Sequence, residues 1–222
     1  MSNWGCCDKN VSWVFAVFYG VTKLSLLRKQ KSIERSAIAA FMDVPTQYVV
    51  LLRGINVGGN RLINMKDLKS SLEDAGFIEV KTYINSGNVL LKSNLLPEEV
   101  SRLVQGNIQA GFGYEVDVLT LTGEDLQNIA GAIPENWTND ATMRCDCLFL
   151  WHDVDTPEVL KSFEIKEGID RVMYLKGAVV WSLDRENAAK SGLRSLIGTD
   201  LYKKVTVRNC NTVRKLATLI ND

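Results

Sequence analysis

Tyr48-Val49-Val50-Leu51-Leu52-Arg53-Gly54-Ile55-Asn56-Val57-Gly58-Gly59-Asn60-Arg61 opens as an unbroken apolar run and then turns to glycine and asparagine. A run this short, closed by turn residues, reads as a buried strand. Behind it Met65, Leu68 and Leu72 recur at helical spacing, with Asn64 as N-cap, Asp67 in the first turn and Gly76 as a stop. Val80 to Ile84 and Val89 to Lys92 then read as two strands of a hairpin around Asn85-Ser86-Gly87-Asn88, where glycine makes a positive φ inexpensive. Pro97 suits the first position of a second helix carrying Val100, Leu103, Val104 and Ile108, and Tyr114 to Leu121 returns to strand alternation. The order is βαββαβ, the split βαβ arrangement of ferredoxin-like domains.

The same unit is written again further on. Asp146 to Trp151 is a second apolar strand, and Thr156-Pro157-Glu158 predicts a helix start from a cap, a first-turn proline and an acid suited to the helix dipole. Arg171 to Leu175 and Ala178 to Leu183 pair around Lys176-Gly177, so that Tyr174, Gly177 and Val179 echo Tyr83, Gly87 and Val89. Asp184 is placed to cap a fourth helix running towards Gly198, with Gly192 as its weak point. Tyr202 to Val207 closes the second unit, and a last helix is expected from Asn211 or Thr212 to Ile220. The expected fold is therefore α+β: tandem ferredoxin-like (βαββαβ) halves with antiparallel sheets and a C-terminal helix. The boundaries are an N-terminal extension over 1–46, a first half over 47–121, a linker with a short helix (Leu126 to Ile129, capped by Thr122) over 122–144, and a second half with its C-terminal helix over 145–222.

Composition narrows the classes of function. With 222 residues, 46% apolar and 23% charged, the chain has enough material for a real core, and its formal net charge is zero. That balance argues against a strongly basic nucleic-acid binder or a polybasic membrane-surface protein. Residues 1–41 carry six basic side chains against two acidic ones, Asp8 and Glu34, so the remainder is mildly acidic. The apolar run Val11 to Val21 is about half the ~20 residues of a membrane span, and its basic cluster follows it, unlike a secretory signal. The segment reads as a leader outside the fold, with Met42 as the start of the functional chain. Five cysteines, an odd and scattered set, fit a reducing, cytoplasmic setting better than a disulfide framework.

Chemistry-bearing residues gather at turns. In Arg53 to Arg61, three glycines, Gly54, Gly58 and Gly59, with Asn56 let backbone N–H groups converge on an anion while arginine adds charge. The pattern lacks the Gly-Lys-Ser/Thr of a P-loop and the dinucleotide spacing, and tight turning accounts for the glycines equally well. Because the first two strands run the same way, Gly54 to Arg61 is expected to face Asn85 to Asn88, which includes the candidates Ser86, Gly87 and Asn88. Arg208 and Asn209 meet another helix start and complete the candidate set. No catalytic residue, metal site or cofactor is assigned. Cys145 and Cys147 share one strand face without further ligands, His152 beside Asp153 and Asp155 reads as a loop histidine, and adjacent Lys190 and Ser191 point apart on a helix.

Leu51 to Gly59, the Ser86-Gly87-Asn88 turn, and Arg208-Asn209 with Thr212 resemble the signature stretches of the domain of unknown function 1697 family. The resemblance spans Tyr48 to Leu219; it departs where Cys210 stands in place of the family's tryptophan and Asn85 in place of the commoner glutamine. It implies a bacterial, cytoplasmic, tandem ferredoxin-like protein of unassigned role, and leaves open whether it is an enzyme. The expected partner is a phosphate-bearing small molecule or nucleotide; the alternatives are a nucleic-acid-binding module and a structural or interaction protein without a small-molecule ligand.

Overall fold

The computed structural model describes residues 44–59 and 61–221; the leader expected over 1–41 lies outside them. The first half is built from β1 (Thr46–Leu52), α1 (Met65–Asp74), β2 (Ile78–Tyr83), β3 (Asn88–Ser93), α2 (Pro97–Phe112) and β4 (Val118–Thr122). Helix α3 (Gly123–Ala132) follows. The second half contains β5 (Met143–Leu150), β6 (Arg171–Leu175), β7 (Ala178–Asp184), the short α4 (Asp200–Lys203) and β8 (Val205–Asn209), and the chain closes with α5 (Cys210–Leu219). The sheets have orders β2-β3-β1-β4 and β6-β7-β5-β8, with every pairing antiparallel. These are two ferredoxin-like sheets in tandem, an α+β fold with a C-terminal helix.

Period-two alternation sorts the strands between layers. Tyr48, Val50 and Leu52 of β1 join α1 and α2 in one core, whereas Val49 and Leu51 face a middle core shared with Cys145, Cys147 and Phe149 of β5 and with residues of α3 and α5. Leu148 and Leu150 point the other way, into a third core around Trp181. Central strands buried on both faces explain why their sequences are continuously apolar. Asn64 caps α1 through its side chain, accepting from Lys66 N at 2.9 Å, and Pro97 opens α2.

The second half departs from expectation in its crossovers. Where α-helices were expected from Thr156 and Asp184, the chain forms 3₁₀ turns, Pro157–Ser162, Arg185–Asn187 and Gly192–Leu196. Asp184 does not cap a helix; its carboxylate pairs with Arg171 at 2.8 Å. The turns pack around Trp181. Its indole is fully buried among them, with Phe163 edge-on to it at 5.5 Å. The indole N–H needs an acceptor, and Asp170 supplies it at 3.0 Å while also accepting from Lys166 N, Ser191 Oγ and Gly192 N. One carboxylate thus ties both crossovers to β7. The Ser191 hydroxyl is consumed in this tie, which places it in the fold and not in a pair with Lys190. Helix α5 also begins earlier than expected, because Asn209 is its cap, accepting from Thr212 N at 2.9 Å.

The Asp170 tie predicts a pH dependence. Burial acts to raise its pKa, but the hydrogen bonds from Ser191, Lys166, Gly192 and Trp181 outweigh it and hold the carboxyl below its ordinary 3.8. A carboxyl depressed in the folded state contributes stability that is present above its unfolded value and lost as pH falls through the folded one. Urea midpoints measured at about pH 5 and about pH 3 are expected to fall further for the natural protein than for Asp170→Asn, which has nothing to titrate at this position. Equal falls would show that the tie does not favour the ionised carboxylate.

Candidate functional site

At one end of the first sheet, β1 runs into the loop 53–64 and the β2–β3 hairpin turns back beside it. Leu52 N donates to Gly87 O at 2.8 Å, and Asn56 Nδ2 donates to Asn85 O at 2.8 Å. The same Asn56 closes its own loop, with Oδ1 accepting from Ile63 N at 2.8 Å and Nδ2 donating to Ile63 O at 3.0 Å. The two reversals lie side by side, bordering a shallow hollow of about 640 Å³ lined by Asn56, Leu62, Ile63, Asn64, Met65 and Asn85. Because Asn64 caps α1, the N-terminus of that helix opens onto this hollow.

The backbone here is held in unusual conformations. Asn56, Arg61 and Ile84 have φ of 53°, 48° and 50°. For a β-branched residue such as Ile84 the left-handed region is costly, and it persists only where the surroundings impose it. Gly87 is required twice over: its φ is 80°, and an added Cβ would stand 2.7 Å from Leu52 Cβ.

Behind the loop stands Arg208 of β8, only 8% exposed. Its Nε donates to Asn88 Oδ1 at 2.5 Å, Nη2 to Leu52 O at 2.8 Å and Gly87 O at 3.1 Å, and Nη1 to Val207 O at 2.8 Å and Thr206 Oγ1 at 3.1 Å. Every N–H of the guanidinium is used. Asn88, fully buried, in turn donates to Tyr83 O and Ser86 Oγ. Burial lowers Arg208 to about 10, which leaves it charged at neutral pH. Arg53 is likewise committed: Nε donates to Val205 O at 3.0 Å, Nη2 to Tyr202 O at 3.1 Å, Nη1 lies 3.5 Å from Asp117, and the guanidinium sits over the Tyr202 ring.

The ten residues singled out from sequence therefore divide. Gly54, Gly58, Gly59 and Ser86 are exposed and Asn56 half-buried at the loop face, whereas Arg53, Gly87, Asn88 and Arg208 work inside, bracing one half against the other. Asn209 belongs to the α5 cap. Arg61, whose guanidinium passes beside Gly54, is the exposed arginine of the loop. Sequence reading did not separate the face from the brace, because burial of a guanidinium leaves no local signature. Cys145 and Cys147 share a face as expected and meet Cys210 in the middle core, and no cluster of metal-ligating side chains occurs among the described residues.

Two antiparallel ferredoxin-like sheets, locked together by a buried arginine beneath a glycine-rich loop, define the class of protein. The chain belongs to the family described as protein of unknown function (DUF1697), which it matches over residues 46–181. Among solved structures it is similar to a conserved bacterial protein from Streptococcus pneumoniae, at 27% identity and a TM-score of 0.68, over 79% of this chain and 99% of that one. No curated protein matches it. No helix among the described residues is long and apolar enough to cross a membrane.

Proposed function

We propose that this protein is a binding module for a phosphate-bearing small molecule or nucleotide, held at the 54–61 loop. The observation that carries the reading is the pairing of the two reversals through Asn56, which fixes the exposed glycine loop beside the N-terminus of α1. Backbone N–H groups of Gly58 and Gly59, the Ser86 hydroxyl and the Arg61 guanidinium supply the donors, and the helix dipole favours a negative charge at the same edge. The Arg208 brace serves by rigidity: a loop already held in place loses little conformational freedom when a ligand arrives. Three buried free cysteines support a reducing, cytoplasmic setting, and the similarity to a bacterial protein supports a bacterial one.

The reading is tested by thermal unfolding against a panel of phosphate esters, nucleotides and inorganic phosphate. A ligand at about 100 times its dissociation constant adds roughly 2.7 kcal/mol of stability. Arg61→Ala, altering an exposed side chain, is expected to leave the melting temperature of the free protein in place and to remove most of the shift. A panel without any shift discards the proposal.

A further inference from the structure

The two halves can be superposed by their hydrogen bonds. Leu52 N donates to Gly87 O at 2.8 Å and Leu150 N to Gly177 O at 2.9 Å; Arg53 N donates to Asp117 O at 2.9 Å and Trp151 N to Lys204 O at 3.0 Å. In register, Leu52 faces Val118 and Leu150 faces Val205. Thr122 caps α3 as Asn209 caps α5. Counting along the strands from these anchors, Leu121 of β4 stands where Arg208 stands in β8, and Ala178 stands where Asn88 stands.

The consequence is an asymmetry in chemistry. At the first-half hairpin, Nη2 of Arg208 is shared by the carbonyls of Leu52 and Gly87. At the second-half hairpin the corresponding carbonyls, Leu150 and Gly177, receive no side-chain donor from the described residues, because leucine has none to give. Gly177 N, moreover, is turned away to Asp155 Oδ1 at 2.8 Å. At this position lies a cleft of about 350 Å³, within the range of small-molecule sites, with Leu119, Leu121, Leu150 and Gly177 in its wall. Its rim carries the carboxylates of Glu98, Asp125 and Asp155 against the single ammonium of Lys176, with His152 beside them. The charge complements a cation.

We propose that this cleft binds the guanidinium end of a small molecule of about arginine size, which donates to the Leu150 and Gly177 carbonyls as Arg208 donates to those of Leu52 and Gly87. The apolar stem of the ligand lies over Leu119 and Leu121, and the rim carboxylates supply the countercharge. A planar fork of N–H donors is the group that fits two neighbouring carbonyl acceptors, which a compact ammonium satisfies less well. The site is separate from the glycine loop and stands or falls independently of any phosphate ligand.

The test is calorimetric titration of the full chain with agmatine, arginine, methylguanidinium and citrulline, the last having arginine's shape with a neutral urea head. Amide chemical shifts locate the site. Saturable binding of agmatine or arginine that moves Lys176 and Gly177, with citrulline at least about tenfold weaker, is expected. Leu121→Arg places an internal guanidinium in the cleft and is expected to abolish binding. Glu98→Gln, a change on an exposed side chain that leaves folding in place, is expected to weaken it about fivefold. Equal binding of citrulline, shifts confined to Gly58 and Gly59, or no binding by any of the probes would overturn the proposal. Binding of an arginine-containing tripeptide alone would overturn its assignment to a small molecule.

Discussion

Gly192→Ala is expected to destabilise the protein by about 3 kcal/mol or more, a large share of the ~5–15 kcal/mol that holds a domain folded. The cause is backbone proximity. A Cβ built on Gly192 would lie 1.4 Å from the carbonyl oxygen of Glu164 and 2.6 Å from its carbonyl carbon, so the two crossovers touch main chain to main chain. Neither atom is the end of a flexible side chain that could swing aside. Moving the 191–193 segment to admit a methyl group would pull Ser191 and Gly192 from Asp170, which also holds the Trp181 indole and Lys166 N. The damage would therefore spread into the third core, where Trp181 is the largest fully buried side chain. Gly106→Ala is the matching control. Gly106 lies on the exposed side of α2 with open space about its missing Cβ. The same chemical change there is expected to add about 0.5–1 kcal/mol, through helix propensity and a less flexible unfolded chain. Urea denaturation of both variants should give shifts of opposite sign; two small shifts alike would contradict the close approach at Gly192.

Arg208→Ala is expected to cost about 3–5 kcal/mol, the range for removing one partner of a buried charged network. The loss is dominated by what remains. Leu52 O and Asn88 Oδ1 keep their burial and lose their donor, each such group costing about 1–3 kcal/mol, while Gly87 O keeps only its bond from Leu52 N. Arg208→Lys should recover little, since an ammonium cannot serve acceptors spread around a planar fork. The second half suggests a better substitute, because Leu121 and Ala178 occupy the matching positions with no polar pair at all. The double variant Arg208→Leu with Asn88→Ala should then be less destabilised than the sum of its single changes, with a coupling free energy of about 0.5–3 kcal/mol. Additivity of the two would mean that the 2.5 Å contact between Nε and Asn88 Oδ1 carries no interaction of its own. A loosened hairpin should also weaken any ligand at the glycine loop, which separates the brace's effect on geometry from a direct contact.

Legibility from sequence followed the range of the forces involved. The Asn64 cap, the first-turn Pro97 and the hairpin glycines Gly87 and Gly177 act within a few residues, and each stands where its local chemistry places it. The facing of the 53–61 loop against the 85–88 turn also followed, since strand direction fixes which ends share an edge. The crossovers of the second half differ from the expectation because Thr156-Pro157-Glu158 is a sound helix start whose continuation depends on tertiary packing, here the core around Trp181, and not on the start itself. The arginines were legible as important and not as internal. Their acceptors, Leu52, Gly87, Tyr202 and Val205, lie far away in the chain, and no pattern around Arg53 or Arg208 announces them.

The amino-acid order alone settled the repeated order of strands, the antiparallel sheets and the places where the chain turns, because strand alternation, capping and positive φ are properties of neighbouring residues. Only the packed structure decided that Arg208 is a strut, that Gly192 is a point of backbone contact, and that Leu121 leaves a cleft where its counterpart leaves none. Those outcomes depend on which surfaces two halves of one chain present to each other, and free energies of burial and hydrogen bonding across that distance have no expression in local sequence.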